Sequence, residues 1–231
     1  MKIRRIPLAG LVLLAACASS PDASPVEDNT SPDAVRLELS TDRVYEVGAL
    51  WLAPGEEAAL GEFVGSAFPL AIEEYGLEPL VSVQPAWSSS GEPPDTLFIN
   101  SWPSRAEYEA FIADPRFTAV EPKRARAVTD MFVSVFSVQE DESILVEPGE
   151  SLSIAGVWGE RAGDDWARAL RKDGHVPLAL ELVDQGEFGP SLAGLVVSRD
   201  EGQLRATIRD AGGGLADADV IRTIGGPLAT E

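Results

Sequence analysis

TLFINSWPSRAEYEAFIADPRFTAV, Thr96–Val120, is the stretch whose reading decides the fold. An apolar run climbs to Trp102, and Pro103-Ser104 turns the chain. Ser104-Arg105-Ala106-Glu107 has the S-x-x-E spacing of a capping box, in which hydroxyl and carboxylate satisfy the first helical N–H groups reciprocally. The helix so opened, Ser104 to Ala113, is expected to bury Tyr108, Phe111 and Ile112. Asp114-Pro115 stops it and suits the N-cap and first residue of a short extra turn. A strand delivered straight into an amphipathic helix needs partner strands, and the flanking sequence supplies them.

Upstream, Arg43–Ala53 (RVYEVGALWLA) reads as a strand. Tyr45, Val47, Ala49 and Trp51 share one face, and Val44, Leu50 and Leu52 the other, so both faces are expected to be covered. Pro54-Gly55 leads into a helix over 56–75, with Leu60, Phe63, Val64, Ala67, Ala71, Ile72 and Tyr75 at 3.6-residue spacing. Pro69 is expected to kink or split it, and Gly76 to close it. Leu77–Trp87 is a second strand, Ser88–Pro94 a Ser/Gly/Pro loop, Thr96–Trp102 the third strand and Met131–Val138 the fourth. The order is β-α-β-β-α-β, the ferredoxin-like pattern.

The acidic segment 139–150 reads as a linker, after which the pattern returns. Val47-Gly48-Ala49-Leu50-Trp51 matches Ile154-Ala155-Gly156-Val157-Trp158. Gly76-Leu77-Glu78-Pro79-Leu80 matches Gly174-His175-Val176-Pro177-Leu178, and Ser104-Arg105-Ala106-Glu107 matches Ser198-Arg199-Asp200-Glu201. Three landmarks in one order at shrinking distances mark an internal repeat with shorter helices and loops. It predicts strands at 151–158, 175–183, 191–197 and 218–224, with helices at 164–173 and 199–210. The expected fold is α+β: two tandem ferredoxin-like βαββαβ repeats, residues 43–138 and 151–231, forming an intrachain pseudo-dimeric α/β barrel.

Over residues 43–138 the chain resembles the DUF1330 family of the dimeric α/β-barrel superfamily. The resemblance rests on Tyr75-Gly76, Trp102-Pro103-Ser104 and Asp114-Pro115-Arg116-Phe117. It implies two ferredoxin-like units whose sheets close a barrel with helices outside. A tandem repeat would supply both units, hence a monomer. The superfamily spans cofactor-free monooxygenases, haem-degrading enzymes and dismutating enzymes, so the fold does not decide the function. Haem degradation there takes a His on the second helix with Asn and Trp nearby. Asn100 and Trp102 are present, but no His lies between Ser104 and Ala113. No cofactor is expected.

The N-terminus carries an address. Met1–Arg5 is basic and 6–16 apolar, a secretory signal too short to span a bilayer. Leu14-Ala15-Ala16-Cys17 resembles a bacterial lipobox, which implies cleavage after residue 16 and lipid on Cys17, the single Cys of the chain. Acyl chains would anchor the protein in a membrane. Ala18, in place of an Asp, favours the outer membrane of the envelope, facing the periplasm. Residues 17–42 read as the lipidated Cys followed by a Ser/Pro/Asp/Ala tether.

Composition narrows the function. The formal charge of −20 repels nucleic acid, which is excluded as a partner. One Cys and one His rule out an intrachain disulfide and a His/Cys metal site. Candidate cavity-lining residues are Tyr45, Trp51, Trp158 and His175. The two tryptophans are equivalent by the repeat, and His175 is the single imidazole. The plainer reading of both rings is core packing, and that of His175 a strand-end hydrogen-bonding residue. Lys123, Arg124 and Arg126 read as a solvated helix face. No catalytic residue and no metal site is assigned. The expectation is an envelope lipoprotein with a non-catalytic small-ligand-binding or structural role, its ligand small and apolar. The alternative is a cofactor-independent monooxygenase or isomerase acting on a small apolar substrate.

Overall fold

The structure, a computed structural model, describes residues 34–83, 85–88, 92–148, 150–158, 178–184, 192–198 and 220–226. The strands are β1 (Val35–Leu39), β2 (Val44–Leu52), β3 (Glu78–Val83), β4 (Trp87–Ser88), β5 (Thr96–Trp102), β6 (Val128–Ser137), β7 (Glu142–Val146), β8 (Ser151–Trp158), β9 (Leu178–Asp184), β10 (Leu192–Ser198) and β11 (Val220–Gly226). The described helices are α1 (Glu57–Tyr75), α2 (Arg105–Ile112) and α3 (Pro115–Ala127). The expected helices 164–173 and 199–210, with Cys17 and His175, lie outside the described residues. So do the side chains of Trp158 and of the strands after it.

Nine strands form one antiparallel sheet in the order β3-β5-β2-β6-β9-β10-β8-β11-β4. In the first half, β2, β3, β5 and β6 stand in the ferredoxin-like order, with the first strand between the third and fourth. β8, β9, β10 and β11 stand in the same relative order. The halves join where β6 pairs β9, with Phe136 opposite Leu182. The outermost strands are near neighbours in sequence, because β3 ends at Val83 and β4 starts at Trp87. Four residue steps span at most about 14 Å, so the two edges of the sheet must approach one another.

The cores follow from strand alternation. On one face of β2, Tyr45, Val47 and Ala49 pack with Leu97, Ile99, Phe132, Phe136 and Leu152. The other face meets the helices, where Trp102 and Val135 lie against Ala67 and Ala71 of α1, Tyr108 and Phe111 of α2, and Phe117 of α3. β2 is covered on both sides, as its two apolar faces require.

The structure departs from the sequence reading at five places, the first being Ile112 of α2, which is exposed while Tyr108 and Phe111 are buried. Residues 35–39, read as tether, and 142–146, read as linker, pair as an antiparallel ribbon in which Leu37 faces Ile144. This ribbon buries Leu37, Leu39 and Val146 on the inner core. The segment after Asp114 is a 13-residue helix rather than a single turn. α1 runs unbroken through Pro69, and Gly76 ends it at φ 69°, with Leu77 N–H donating to the Ala71 carbonyl at 3.0 Å. The second strand divides: Glu78–Val83 pairs β5, while Trp87–Ser88 pairs β11 at the far edge.

Candidate functional site

The inner face of β2 holds two of the expected cavity residues. Tyr45 is buried, and its hydroxyl donates to the Ser40 carbonyl at 3.1 Å while accepting from the Ser40 amide. Burial pushes its phenol up, so the hydroxyl keeps its proton and is not poised to accept one. Trp51 sits half-buried at the rim of the same core, tilted on Phe132 at 6.4 Å. Its Nε1 donates to the Glu92 carbonyl at 3.0 Å, so the ring fastens the 92–95 loop over the strand end. The space beside these residues is occupied by Leu97, Ile99, Val83 and the ribbon leucines.

The polar feature of the sheet lies on its other face. Glu46, between Val44 and Gly48 on the helix side of β2, keeps some exposed surface while its carboxyl group reaches inward. Its Oε2 accepts from Asn100 Nδ2 at 2.9 Å and from Trp102 Nε1 at 3.3 Å. Register sets this trio: Glu46 lies opposite Asn100, and Val44 opposite Trp102. Asn100 and Trp102 are both buried, so the carboxylate satisfies two donors that would otherwise lose their hydration uncompensated. Burial raises the Glu46 carboxyl above its ordinary value; the two hydrogen bonds, and the positive charge of Arg124, oppose that rise. Trp102 packs edge-on against Tyr108 at 5.5 Å and tilted on Phe111 at 5.2 Å. Phe111 in turn meets Phe117 at 4.5 Å, closing the base of the site with aromatic rings.

The residues that carry the family resemblance come together as a structural node. Asp114 caps α3, accepting from the Arg116 amide at 2.6 Å and from the Tyr75 hydroxyl at 2.7 Å. Arg116 forks onto both oxygens of Glu74 at 2.7 Å each. Arg116 holds the Asp114 carboxyl well below the usual carboxylate range, with Tyr75 adding to it. Gly76 lies against Pro103: a Cβ there would stand 2.7 Å from Pro103 Cγ. These positions tie α1, the β5–α2 corner and α3 to one another, and Trp102, which also carries the resemblance, is hydrogen-bonded to Glu46.

Other charged groups are engaged in the same way. Lys123 pairs with Glu62 at 2.9 Å, Arg124 with Glu121 at 2.8 Å and Arg126 with Glu56 at 2.8 Å. Lys123 and Arg126 therefore stitch α3 to α1. A depression of about 230 Å³ lies between the β1–β2 and β6–β7 turns, lined by Glu38, Leu39, Ser40, Asp141, Glu142 and Ser143. Asp141 is spent there on the Thr41 amide at 2.8 Å and the Thr41 hydroxyl at 3.1 Å. Among the described residues no three His, Cys, Asp or Glu gather as metal ligands, and no helix is long and apolar enough to cross a membrane.

Glu46 escaped the sequence reading, which looked for a cavity lining in Tyr45 and the strand tryptophans and for chemistry in the lone imidazole. The signal was present: a glutamate alternating with Val44, Gly48, Leu50 and Leu52 on a strand apolar on both faces.

No protein-family model matches the sequence, and no curated protein does. Among solved structures, an anthrone oxidase-like protein superposes with a TM-score of 0.53 at 14% identity, covering 84% of this chain and 95% of its own. A "putative monooxygenase" from Lactobacillus acidophilus gives 0.41 at 11% identity, covering 82% and 96%. A heme-binding protein from Thermus thermophilus gives 0.41 at 13% identity, covering 85% and 94%. At such identities the likeness is one of fold, and the first superposition agrees with the strand order in placing this chain in the ferredoxin-like α+β class.

Proposed function

We propose that this protein is an envelope lipoprotein, held by lipid on Cys17 at the periplasmic face of the outer membrane. Its body is a tandem ferredoxin-like barrel with a non-catalytic ligand-binding or structural role. The observation that carries the non-catalytic reading is the filled inner face. Tyr45 is closed on the Ser40 backbone, and aliphatic and phenyl side chains occupy the surroundings. An enzyme working from that face would need a polar group aimed into an open space.

The tandem reading is supported by the repeated strand order and by register. Leu195 stands opposite Ile154 as Ile99 stands opposite Val47. The same register puts Ser198 level with Trp102, two residues short of the Ser104 landmark, so the repeat is looser there than the sequence match suggests. The C-terminal half takes the place that a second subunit would fill, which makes the protein a monomer.

The second reading is a cofactor-independent monooxygenase or isomerase acting on a small apolar substrate. Glu46 favours it, as an inward-directed carboxyl whose affinity for a proton is raised by burial. The solved neighbour described as anthrone oxidase-like is compatible with it.

The test of the leading reading is metabolic labelling. Radioactive palmitate enters the wild-type protein and not Cys17→Ser, and labelled protein sediments with outer-membrane vesicles. Equal labelling of both proteins rejects the anchor.

A further inference from the structure

We propose that β1 is a strap over the inner face of the sheet, one that lifts while the nine-stranded ladder stays whole and so admits an apolar ligand to a face that is filled when the strap is down. The inference rests on the ligand-binding arm of the function proposed above and on its tandem barrel.

The ribbon lies on the axis that relates the two halves. The step along the chain that carries Val47 to Ile154 also carries Leu37 to Ile144, and these two residues stand opposite each other in the β1–β7 pair. Each half thus contributes the strand that precedes its first ferredoxin-like strand. The two strands meet at equivalent residues, as one patch meets its own copy across a two-fold axis. A cover at that place lies over the interior that the two halves share. Its outer side is polar, with Arg36, Glu38 and Ser143 exposed. Its inner side puts Leu37, Leu39 and Val146 into the cluster that holds Tyr45, Val47, Phe132 and Phe136.

The two strands of the ribbon are not held alike. Together they form a sheet of their own, with no ladder to the other nine described strands. β7 runs between β6 and β8, so the large sheet fastens it at both ends, whereas β1 is fastened through its turn to β2. That turn is pinned: Asp141 accepts from the Thr41 amide at 2.8 Å, and the Tyr45 hydroxyl donates to the Ser40 carbonyl at 3.1 Å. Beyond the pin, β1 has five residue pairs with β7 and its inward side chains. A two-stranded ribbon is marginal by itself. Regions with few buried apolar side chains open at lower free energy than the body of a protein, and β1 fully buries two, Leu37 and Leu39. β2 keeps its ladders to β5 and β6 when β1 leaves. Lifting about Ser40-Thr41 therefore uncovers the Val47 side of β2 and leaves the helix-side core, Val135 within it, closed.

The test uses the full-length chain with Cys17→Ser, in one fixed detergent, carrying either Val47→Cys on the inner face or Val135→Cys on the helix side. Both valines are fully buried and lie on adjacent strands, so the same substitution reports the two faces. The probe is N-ethylmaleimide, small and uncharged, and labelling is followed by mass. Without denaturant, Val47→Cys is expected to be labelled at least tenfold faster than Val135→Cys. Adding Leu37→Ser should speed the first at least tenfold further and the second less than threefold. Equal rates, or faster labelling of Val135→Cys, overturn the proposal even if Leu37→Ser fails to fold. A folded Leu37→Ser that speeds both alike, or neither, also overturns it. These chains lack Cys17, so the outcome is independent of the lipid anchor, which palmitate labelling decides. Closure of the barrel is decided separately, by cross-linking β4 to β11.

Discussion

Truncating Trp102 is expected to cost far more than truncating Trp51, although the sequence presents both as strand tryptophans of similar weight. Trp102 is fully buried, with Tyr108 and Phe111 on its ring and Glu46 on its nitrogen. A buried Trp removes about 250 Å² from water, worth about 6 kcal/mol at 25 cal/mol per Å². An extended-chain reference overstates that by roughly 10–40%, which brings the figure to about 4–5 kcal/mol. Measured Trp→Ala costs in cores are about 3–5 kcal/mol. Losing Nε1 also leaves the Glu46 carboxylate with Asn100 as its remaining donor, about 1 kcal/mol or more. Trp51 is half-buried and its indole bond lies in the open, so about 2 kcal/mol is expected. The assay is urea unfolding of Trp102→Ala and Trp51→Ala followed by far-ultraviolet circular dichroism, which does not depend on the deleted fluorophore. A gap of about 2 kcal/mol or more in favour of Trp102 is the expected outcome. Equal costs, or a larger cost at Trp51, would refute the division of the sheet into a helix-side core and a rim.

Glu46 makes stability depend on pH in a defined sense. Its folded pKa is raised by burial, so the native state holds the proton more tightly than the unfolded chain. Its contribution is complete below the ordinary glutamate pKa and fades as pH rises through the higher folded value. Thermal unfolding of Glu46→Gln across pH 4 to 8 should lose that downward slope relative to wild type; parallel curves would show the carboxyl to be unstrained. Ser104→Ala removes the side-chain acceptor for the Ala106 and Glu107 amides and should cost about 1 kcal/mol in urea unfolding. Gly76→Ala forces a positive φ on a residue with a Cβ, about 1–2 kcal/mol, before its Cβ meets Pro103. A neutral Gly76→Ala would mean that the α1–β3 junction relaxes freely.

The strands that the sequence announced are those with firm punctuation. β5 runs over Thr96–Trp102 because a Ser/Gly/Pro loop precedes it and Pro103 follows it. β8 was readable from the Ile154–Trp158 echo of Val47–Trp51. The ribbon of β1 and β7 was hidden by its composition: Arg36, Glu38, Glu142 and Ser143 give two short segments the polarity of a linker. Only pairing across more than a hundred residues buries the Leu37 and Leu39 that alternate with them. α3 was hidden by Pro122 and by a run of cations, because its stability comes from bonds to α1 that no local pattern records. The candidate site was half legible. Asn100 and Trp102 were noted for what a haem enzyme requires. Their partner Glu46 is tied to them only by register.

The central claim is that the C-terminal strands complete one sheet whose far edge returns to β4. Ser88 and Ile224 are opposed residues in the β4–β11 pair. Opposed Cα atoms in an antiparallel pair are about 4.5–5.5 Å apart, within disulfide range. Cys17→Ser leaves a cysteine-free background. Mild oxidation of Cys17→Ser/Ser88→Cys/Ile224→Cys should give an intramolecular disulfide in nearly every chain, seen as a faster-migrating monomer on non-reducing gels and a mass lower by two hydrogens. Free thiols, or disulfide-linked dimers in place of that monomer, would contradict the closure of the sheet within one chain.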